Sequence, residues 1–318
     1  MSRPEPKSVR RVGCVGAGLI GSGWAAHFLR AGLDVVAYDP APAAESTMRR
    51  LVELAWPTLE RLGLARDASI GRLSFTTDLK IAVQDAEFVQ ESAFEDEQLK
   101  IKLLSEVDRI AAPEVVIASS SSGFLASRLR SGCARGRRVL VAHPFNPPYL
   151  IPLVEIVGGE GADAGAVAWA REFYRGVGSH PIVLRKDIAN YVGNRLQYAI
   201  MRELYHLVAE DVASVEDIDD ALTYGPALRW AYKGPCAIFH MGVQRPAQYP
   251  DFLDGMGREI DSGRALAPEG PAMRPGVRDR IVREMTAAAA GKSHDQLMRE
   301  RDEAIVRLRL AREGRRER

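Results

Sequence analysis

The stretch Arg11-Val-Gly-Cys-Val-Gly16-Ala-Gly18-Leu-Ile-Gly21 restricts this chain more than any other. Three glycines at that spacing close an apolar run and open a segment, Leu19 to Ala31, with helical composition. Gly16 permits a tight turn, Gly18 lets backbone approach a pyrophosphate, and Gly21 lets helix pack on strand. The start of the following helix offers unpaired N–H groups and a partial positive charge. A second apolar run, LDVVAYD, ends on Asp39, about twenty residues further on, where a carboxylate can bond a ribose 2′-OH. A 2′-phosphate about 4 Å from that carboxylate would cost about 4 kcal/mol at an effective dielectric near 20, and no basic residue follows directly to offset it. Gly16, Gly18, Gly21 and Asp39 are therefore expected to bind NAD rather than NADP.

Further apolar runs follow: AEFVQES, EVVIASS, RVLVAHP, IPLVEIV and HPIVLR. They alternate with helical segments such as Gln98 to Ala112. Strands apolar along their whole length, alternating with helices, predict a parallel sheet covered on both faces. The fold class is α/β: a Rossmann-type, doubly wound, mostly parallel sheet, followed by an all-helical C-terminal domain. The boundary is placed at residue 187, giving an NAD-binding domain over 1–187 and a helical substrate and dimerisation domain over 188–318. In the second part Val192, Leu196, Ile200, Leu204 and Val208 recur at four-residue spacing, one face of a long helix. Ser214 to Asp217 has the form of a capping box. Gly-Pro clusters between Gly255 and Gly276 read as a loop, and Ile281 to Arg315 as amphipathic helix.

Composition narrows the function classes. With 46% apolar and 27% charged residues in 318, the chain can bury a sizeable core. A formal net charge of +1 gives no electrostatic reason to expect nucleic acid or an anionic membrane as partner. No apolar run approaches the roughly 20 residues that span a bilayer. MSRPEPKSVRR lacks the apolar core of a signal peptide. Cys14, Cys133 and Cys236 are scattered, form no metal motif and suit a reducing compartment. The expectation is a cytoplasmic protein without a metal.

Polar clusters stand at the ends of the predicted strands, where open parallel sheets bind ligands. They are Glu91 and Glu95 with Lys100 beyond, Ser119 to Ser122, and His143 with Asn146. His143 has the one side chain in this set whose ordinary pKa suits proton transfer near neutrality. Glu155 lies in the apolar run IPLVEIV, where a charge needs a partner, and a carboxylate can hold an imidazole tautomer. The two are read as a dyad. Asn194, among the apolar repeats at the start of the long helix, is expected to point inward.

SSSSG, HPFNPPYLIPLVE and VGNRLQYAIMREL resemble the 3-hydroxyacyl-CoA dehydrogenase family, over nearly the whole chain. The resemblance implies His143 as base, Glu155 as its orienter, and Ser122 and Asn194 as hydrogen-bonding partners of the substrate oxygens. It also implies Glu95, Lys100, Ser122 and Asn146 near the NAD ribose and nicotinamide, and a homodimer. Unlike the lysine-rich CoA-binding segment of the acyl-CoA members, Glu45 to Arg72 contains no lysine, and its five arginines face four acids. SSSSGFL, NRLQYAI, GPALRWAYKGP and RDEAIVRLRLA resemble instead the free-acid branches, the λ-crystallin/L-gulonate 3-dehydrogenases and the L-carnitine dehydrogenases. Those branches often carry a glutamate shortly after the last Gly-Pro, where this chain has Gly234-Pro-Cys-Ala-Ile-Phe-His240. Tyr224, Trp230 and Tyr232 suit either a trimethylammonium cage or a packing surface, and Arg229 a carboxylate. The expected activity is NAD-dependent oxidation of the 3-hydroxyl of a small 3-hydroxy acid. The alternatives are an L-3-hydroxyacyl-CoA dehydrogenase and an NAD-binding structural protein of the crystallin kind.

Overall fold

A computed structural model describes residues 3–263 and 271–314. Eight strands form one sheet: β1 (Arg11–Val15), β2 (Asp34–Tyr38), β3 (Leu73–Thr76), β4 (Phe88–Glu91), β5 (Val116–Ser119), β6 (Val139–Pro144), β7 (Leu153–Val157) and β8 (His180–Val183). Their order is β3-β2-β1-β4-β5-β6-β7-β8. The reversal between β1 and β4 is the switch point at which such sheets open a crevice. All seven apolar runs predicted as strands are present. The edge strand β3 is an eighth: LSFT is short and has no apolar run to announce it.

Every pairing is parallel except β6 with β7, which is antiparallel. The reason is the length of the connection. A parallel return needs a crossover of a dozen or more residues, and Phe145 to Pro152 is too short to supply one.

Six helices cover the sheet: α1 (Leu19–Arg30), α2 (Ala44–Leu62), α3 (Leu79–Val83), α4 (Glu97–Ile110), α5 (Ala126–Leu129) and α6 (Ala164–Gly176). Because side chains alternate along a strand, each strand contributes to two cores. Val12, Val35, Phe88, Val116, Leu140 and Ile156 pack with Trp24 and Phe28 of α1, Val52 of α2 and Phe173 of α6. Val15, Val36, Val89, Ile117, Val141 and Val157 pack on the other face with Val83 of α3, Leu104 and Val107 of α4 and Leu129 of α5. Glu91, Ser119 and His143 stand where β4, β5 and β6 end, so this double burial fixes their heights on one edge of the sheet.

The second unit begins at Arg195, within α7 (Gly193–Ala209), and no described residue of it is in a strand. Its other helices are α8 (Val215–Thr223), α9 (Pro226–Trp230), α10 (Pro235–Gly242), α11 (Tyr249–Asp261), α12 (Val277–Ala288) and α13 (His294–Arg312). Leu204 and Val208 of α7 bury against Val215 and Val277. Ser214 caps α8, its hydroxyl accepting the Asp217 N–H.

Two expectations are corrected. The segment read as loop from Gly255 is helix as far as Asp261, since the loss of about 1 kcal/mol per glycine at Gly255 and Gly257 is within what packing overrides. Residues 264–270 of that predicted loop lie outside the described residues. Ile281 to Arg315 is not one helix: α12 stops at Ala288, where Ala290 and Gly291 turn left-handed, and Ser293 opens α13 with a full capping box. Arg315 lies outside the described residues.

Candidate active site

The glycine loop turns at Gly16, whose φ of +106° favours a residue without Cβ. At Gly21 a Cβ would stand 1.9 Å from the Gly16 carbonyl oxygen, so close packing of α1 on the loop excludes any side chain there. Gly18 caps α1 with no side-chain bond to the helix N–H groups, and a Cβ there would meet nothing within 4 Å. Backbone donors thus face open space. Beside them lies a cavity of about 590 Å³ lined by Gly16, Gly18, Tyr38, Asp39, Phe94 and Lys102, among others. Asp39 reaches the loop from the end of β2: its Oδ2 accepts the Ala17 N–H at 3.1 Å and its Oδ1 the Ala41 N–H at 3.1 Å. The carboxylate is both a brace for the loop and a wall of the cavity. A dinucleotide fits what is present: bare donors for a pyrophosphate, and an acceptor and apolar walls for a nucleoside.

His143 and Glu155 face each other across the β6–β7 ladder as directly paired residues. Their separation of twelve in sequence is therefore a hairpin register. His143 Nδ1 lies 2.9 Å from Glu155 Oε2, with both side chains buried. The other carboxylate oxygen, Oε1, accepts the N–H groups of Val192 at 2.9 Å and Gly193 at 3.0 Å. Burial pushes the Glu155 carboxyl up, but the bonds from His143, Gly193 and Val192 outweigh it and hold the group below the usual carboxylate range. A charged Glu155 fixes the imidazole with Nδ1 as donor, which leaves Nε2 to take a proton.

Asn194 is buried, as expected, and its Nδ2 donates to the Ser122 carbonyl oxygen at 3.1 Å. The start of α7 is thereby tied to both the dyad and the serine loop. Glu95 Oε1 accepts from Ser121 Oγ at 2.7 Å, from the N–H groups of Ser122 at 2.7 Å and Gly123 at 3.2 Å, and from Ser122 Oγ at 3.3 Å. Burial raises the Glu95 carboxyl, and the Ser121 hydroxyl, Lys100 and these N–H groups lower it further than burial raises it. Lys100 is only 1% exposed, and its ammonium touches Glu91 at 2.8 Å and Glu95 at 3.4 Å. The structure thus joins Glu95, Lys100 and Ser122 in one network. Asn146 follows β6 on an exposed turn and has no side-chain bond among the described residues.

Two aromatic residues pack beside His143. The Tyr191 ring lies 5.3 Å from the imidazole, and its O–H donates to the Phe124 carbonyl at 2.5 Å. Tyr191 has a φ of +50°, uncommon for so large a residue. Phe145 stands edge-on to His143 at 5.1 Å, and a Cβ on Gly193 would come within 2.6 Å of its ring. Neither contact leaves a mark in spacing or composition. Tyr224 and Tyr232 are 77% and 64% exposed, with Lys233 Nζ 5.6 Å from the Tyr232 ring centre. Among the described residues no ring contact joins them to each other or to Trp230.

Residues 11–188 match the family model for the 3-hydroxyacyl-CoA dehydrogenase NAD binding domain, and residues 191–256 that for the C-terminal domain of the same enzymes. The chain belongs to the 3-hydroxyacyl-CoA dehydrogenase family. It is an NAD-dependent oxidoreductase acting on CH–OH groups. Within the family it is 47% identical to an L-carnitine dehydrogenase of Nocardiopsis dassonvillei, over 98% of this chain and 94% of that protein. It is 48% identical to an L-carnitine dehydrogenase of Streptomyces coelicolor, over 96% and 95%. The solved structure of 5-formyl-3-hydroxy-2-methylpyridine 4-carboxylic acid 5-dehydrogenase, an NAD+-dependent dismutase, superposes with a TM-score of 0.83 at 30% identity, covering 97% of this chain and 100% of that one.

Proposed function

We propose that this dehydrogenase oxidises the 3-hydroxyl of a small free 3-hydroxy acid, L-carnitine, to the 3-oxo acid, with His143 as general base. The observation that carries the chemistry is the cross-strand His143–Glu155 pair, buried and held at 2.9 Å. The preference for carnitine over other 3-hydroxy acids rests on relatives of that name aligned along nearly the whole chain. The absence of lysine from Glu45 to Arg72 supports a free acid over a CoA ester.

Gly16, Gly18, Gly21 and Asp39 would hold NAD, with Glu95, Lys100, Ser122 and Asn146 toward its ribose and nicotinamide, and bound NAD supplies the hydride acceptor. Everything else falls to the chain. His143 Nε2 takes the hydroxyl proton, and Glu155 stabilises the imidazolium that results. Ser122 and Asn194 orient the oxygen on which charge develops, a role supported by the bond from Asn194 Nδ2 to the Ser122 carbonyl, which ties the two residues together. Tyr191 and Phe145 wall the imidazole against water, which strengthens its interaction with Glu155.

The same reading gives residues 1–187 the NAD site and 188–318 substrate contacts and a homodimer surface. Val192, just before α7, and Leu196 and Ile200 within it are 43%, 63% and 36% exposed, an apolar stripe that the described residues leave in part uncovered. Sedimentation at micromolar concentration should give a dimer, and a monomer would refute that part.

NADH formation across L-carnitine, L-gulonate, 3-hydroxybutyrate and 3-hydroxybutyryl-CoA tests the substrate. Turnover with L-carnitine is expected. Turnover with the CoA ester alone, or with L-gulonate far above L-carnitine, would overturn the reading.

A further inference from the structure

Glu91 ends β4 with its side chain fully buried, and none of the roles above uses it. Its carboxylate is saturated with partners. Oε1 accepts the Ala93 N–H at 2.6 Å and the Lys100 ammonium at 2.8 Å, and Oε2 accepts the Ser119 hydroxyl. Lys100 in turn donates to the Ala93 carbonyl at 3.1 Å and meets Glu95 Oε2 at 3.4 Å. Ser119 Oγ, while donating to Glu91, accepts the Ser121 N–H at 3.2 Å. Two routes therefore run from Glu91 to the serine loop. One passes through Ser119 to Ser121. The other passes through Lys100 and Glu95 to Ser121, Ser122 and Gly123, and so to Asn194.

We propose that Glu91 is a positioning residue, the anchor that sets where the serine loop, and with it Ser122 and Asn194, stands relative to His143. The argument is one of charge and donors. Lys100 is 1% exposed, so its place is decided by its protein partners, the Ala93 carbonyl and the two carboxylates, of which Glu91 is the nearer. Without a charged Glu91 the ammonium turns to Glu95, and Glu95 is the sole carboxylate among the described residues that holds the Ser122 and Gly123 N–H groups. An amide at position 91 also offers one acceptor oxygen where the carboxylate offers two, so either Ala93 and Lys100 or Ser119 loses its partner. The role rests on the reading of the reaction given above, but the loop geometry it asserts does not.

The test uses the full chain as Glu91→Gln and Ser119→Ala. Amide hydrogen exchange at Ser121–Gly123 reports the loop without any substrate. It should quicken by about 10-fold or more in Glu91→Gln, since Ser119 and Glu95, the acceptors of those N–H groups, are no longer held in place by Glu91 and Lys100. With the substrate that the unaltered protein oxidises, kcat should fall about 10- to 100-fold, as small misplacements of positioning groups do. KM for NAD should rise as well, because Glu95, Lys100 and Ser122 are proposed to face its ribose and nicotinamide, while the midpoint of the kcat pH profile should not move, because the dyad is untouched. Ser119→Ala deletes only the hydroxyl between Glu91 and Ser121 and keeps the buried charges balanced. Because that hydroxyl is itself the Ser121 acceptor, the deciding readout in this variant, should Glu91→Gln fail to fold, is exchange at Ser122 and Gly123. Exchange at Ser122 and Gly123 unchanged in folded Ser119→Ala or Glu91→Gln would overturn the proposal. So would a shift in the midpoint of the kcat pH profile, which would place the effect at the dyad and not at the serine loop. Should no acid be turned over by the unaltered protein, the reaction reading fails and the exchange data still decide on Glu91.

Discussion

The two halves of the sheet edge are built in opposite ways. Around the β1–α1 turn the working groups are backbone donors with space in front of them, and the one acidic side chain, Asp39, lies within two short stretches of sequence. At the ends of β4 to β7 the proposed working groups are side chains: His143, Glu155, Glu95, Ser122, Lys100. His143, Glu155 and Lys100 are buried, Ser122 is half-buried and Glu95 exposed, and all are compensated by partners distant in sequence. A backbone site tolerates almost any neighbour provided the glycines stay. A side-chain site depends on strand register and on charges that cancel.

Substitutions should break the two halves differently. The largest effect is expected at His143: His143→Ala should lower kcat by about 10² to 10⁴-fold while NAD binding, measured by fluorescence titration, is kept. Gly21→Ala should do the reverse. Its Cβ would overlap the Gly16 carbonyl, and overpacking of about 1–3 kcal/mol directed at the loop weakens NAD by roughly 5- to 150-fold, with little change in kcat at saturating NAD. Glu155→Gln follows, with kcat down about 10- to 100-fold, because an amide supports neither the imidazolium nor all three donors that Glu155 now accepts. Asp39→Ala is milder: the loss of its bonds to Ala17 and to a ribose should raise KM for NAD about 10-fold and leave the kcat pH profile alone.

The smallest effect separates the halves by pH. Glu155 is held below the ordinary carboxylate range when folded, so its contribution to stability is complete above the unfolded value, about 4.3, and fades as pH falls through the lower folded value. The Tm gap between the unaltered protein and Glu155→Gln should be constant from neutrality down to about pH 5 and shrink below it. A gap that widened with acid would mean that Glu155 is not ionised in the folded state.

What was legible follows the same division. The glycine spacing, Asp39, and seven of the strands were readable because each is a local pattern: a period, a turn requirement, an apolar run. The dyad was readable because a carboxylate inside an apolar strand demands a partner, and His143 was the candidate within reach. Its geometry was not. Only the antiparallel return from β6 to β7, forced by a short connection, puts residue 143 opposite 155. Tyr191 and the depth of Glu91 and Lys100 were invisible for a related reason, since a tyrosine before a helix and a lysine one turn into α4 look like ordinary surface chemistry until the sheet closes over them. The break between α12 and α13 was missed because alanines in helical composition gave no warning that Ala290 would turn left-handed.

By itself, then, the sequence determined seven of the strands, the nucleotide turn, and the need of the buried Glu155 for a partner, because hydrophobic periodicity and the steric permission of glycine act over a few residues. Tertiary structure alone decided which charges cancel: Lys100 between Glu91 and Glu95, and Glu155 between an imidazole and two backbone N–H groups. Burying a charge is costly without a partner, and partners on different strands are chosen by register and depth, which no short stretch of chain contains.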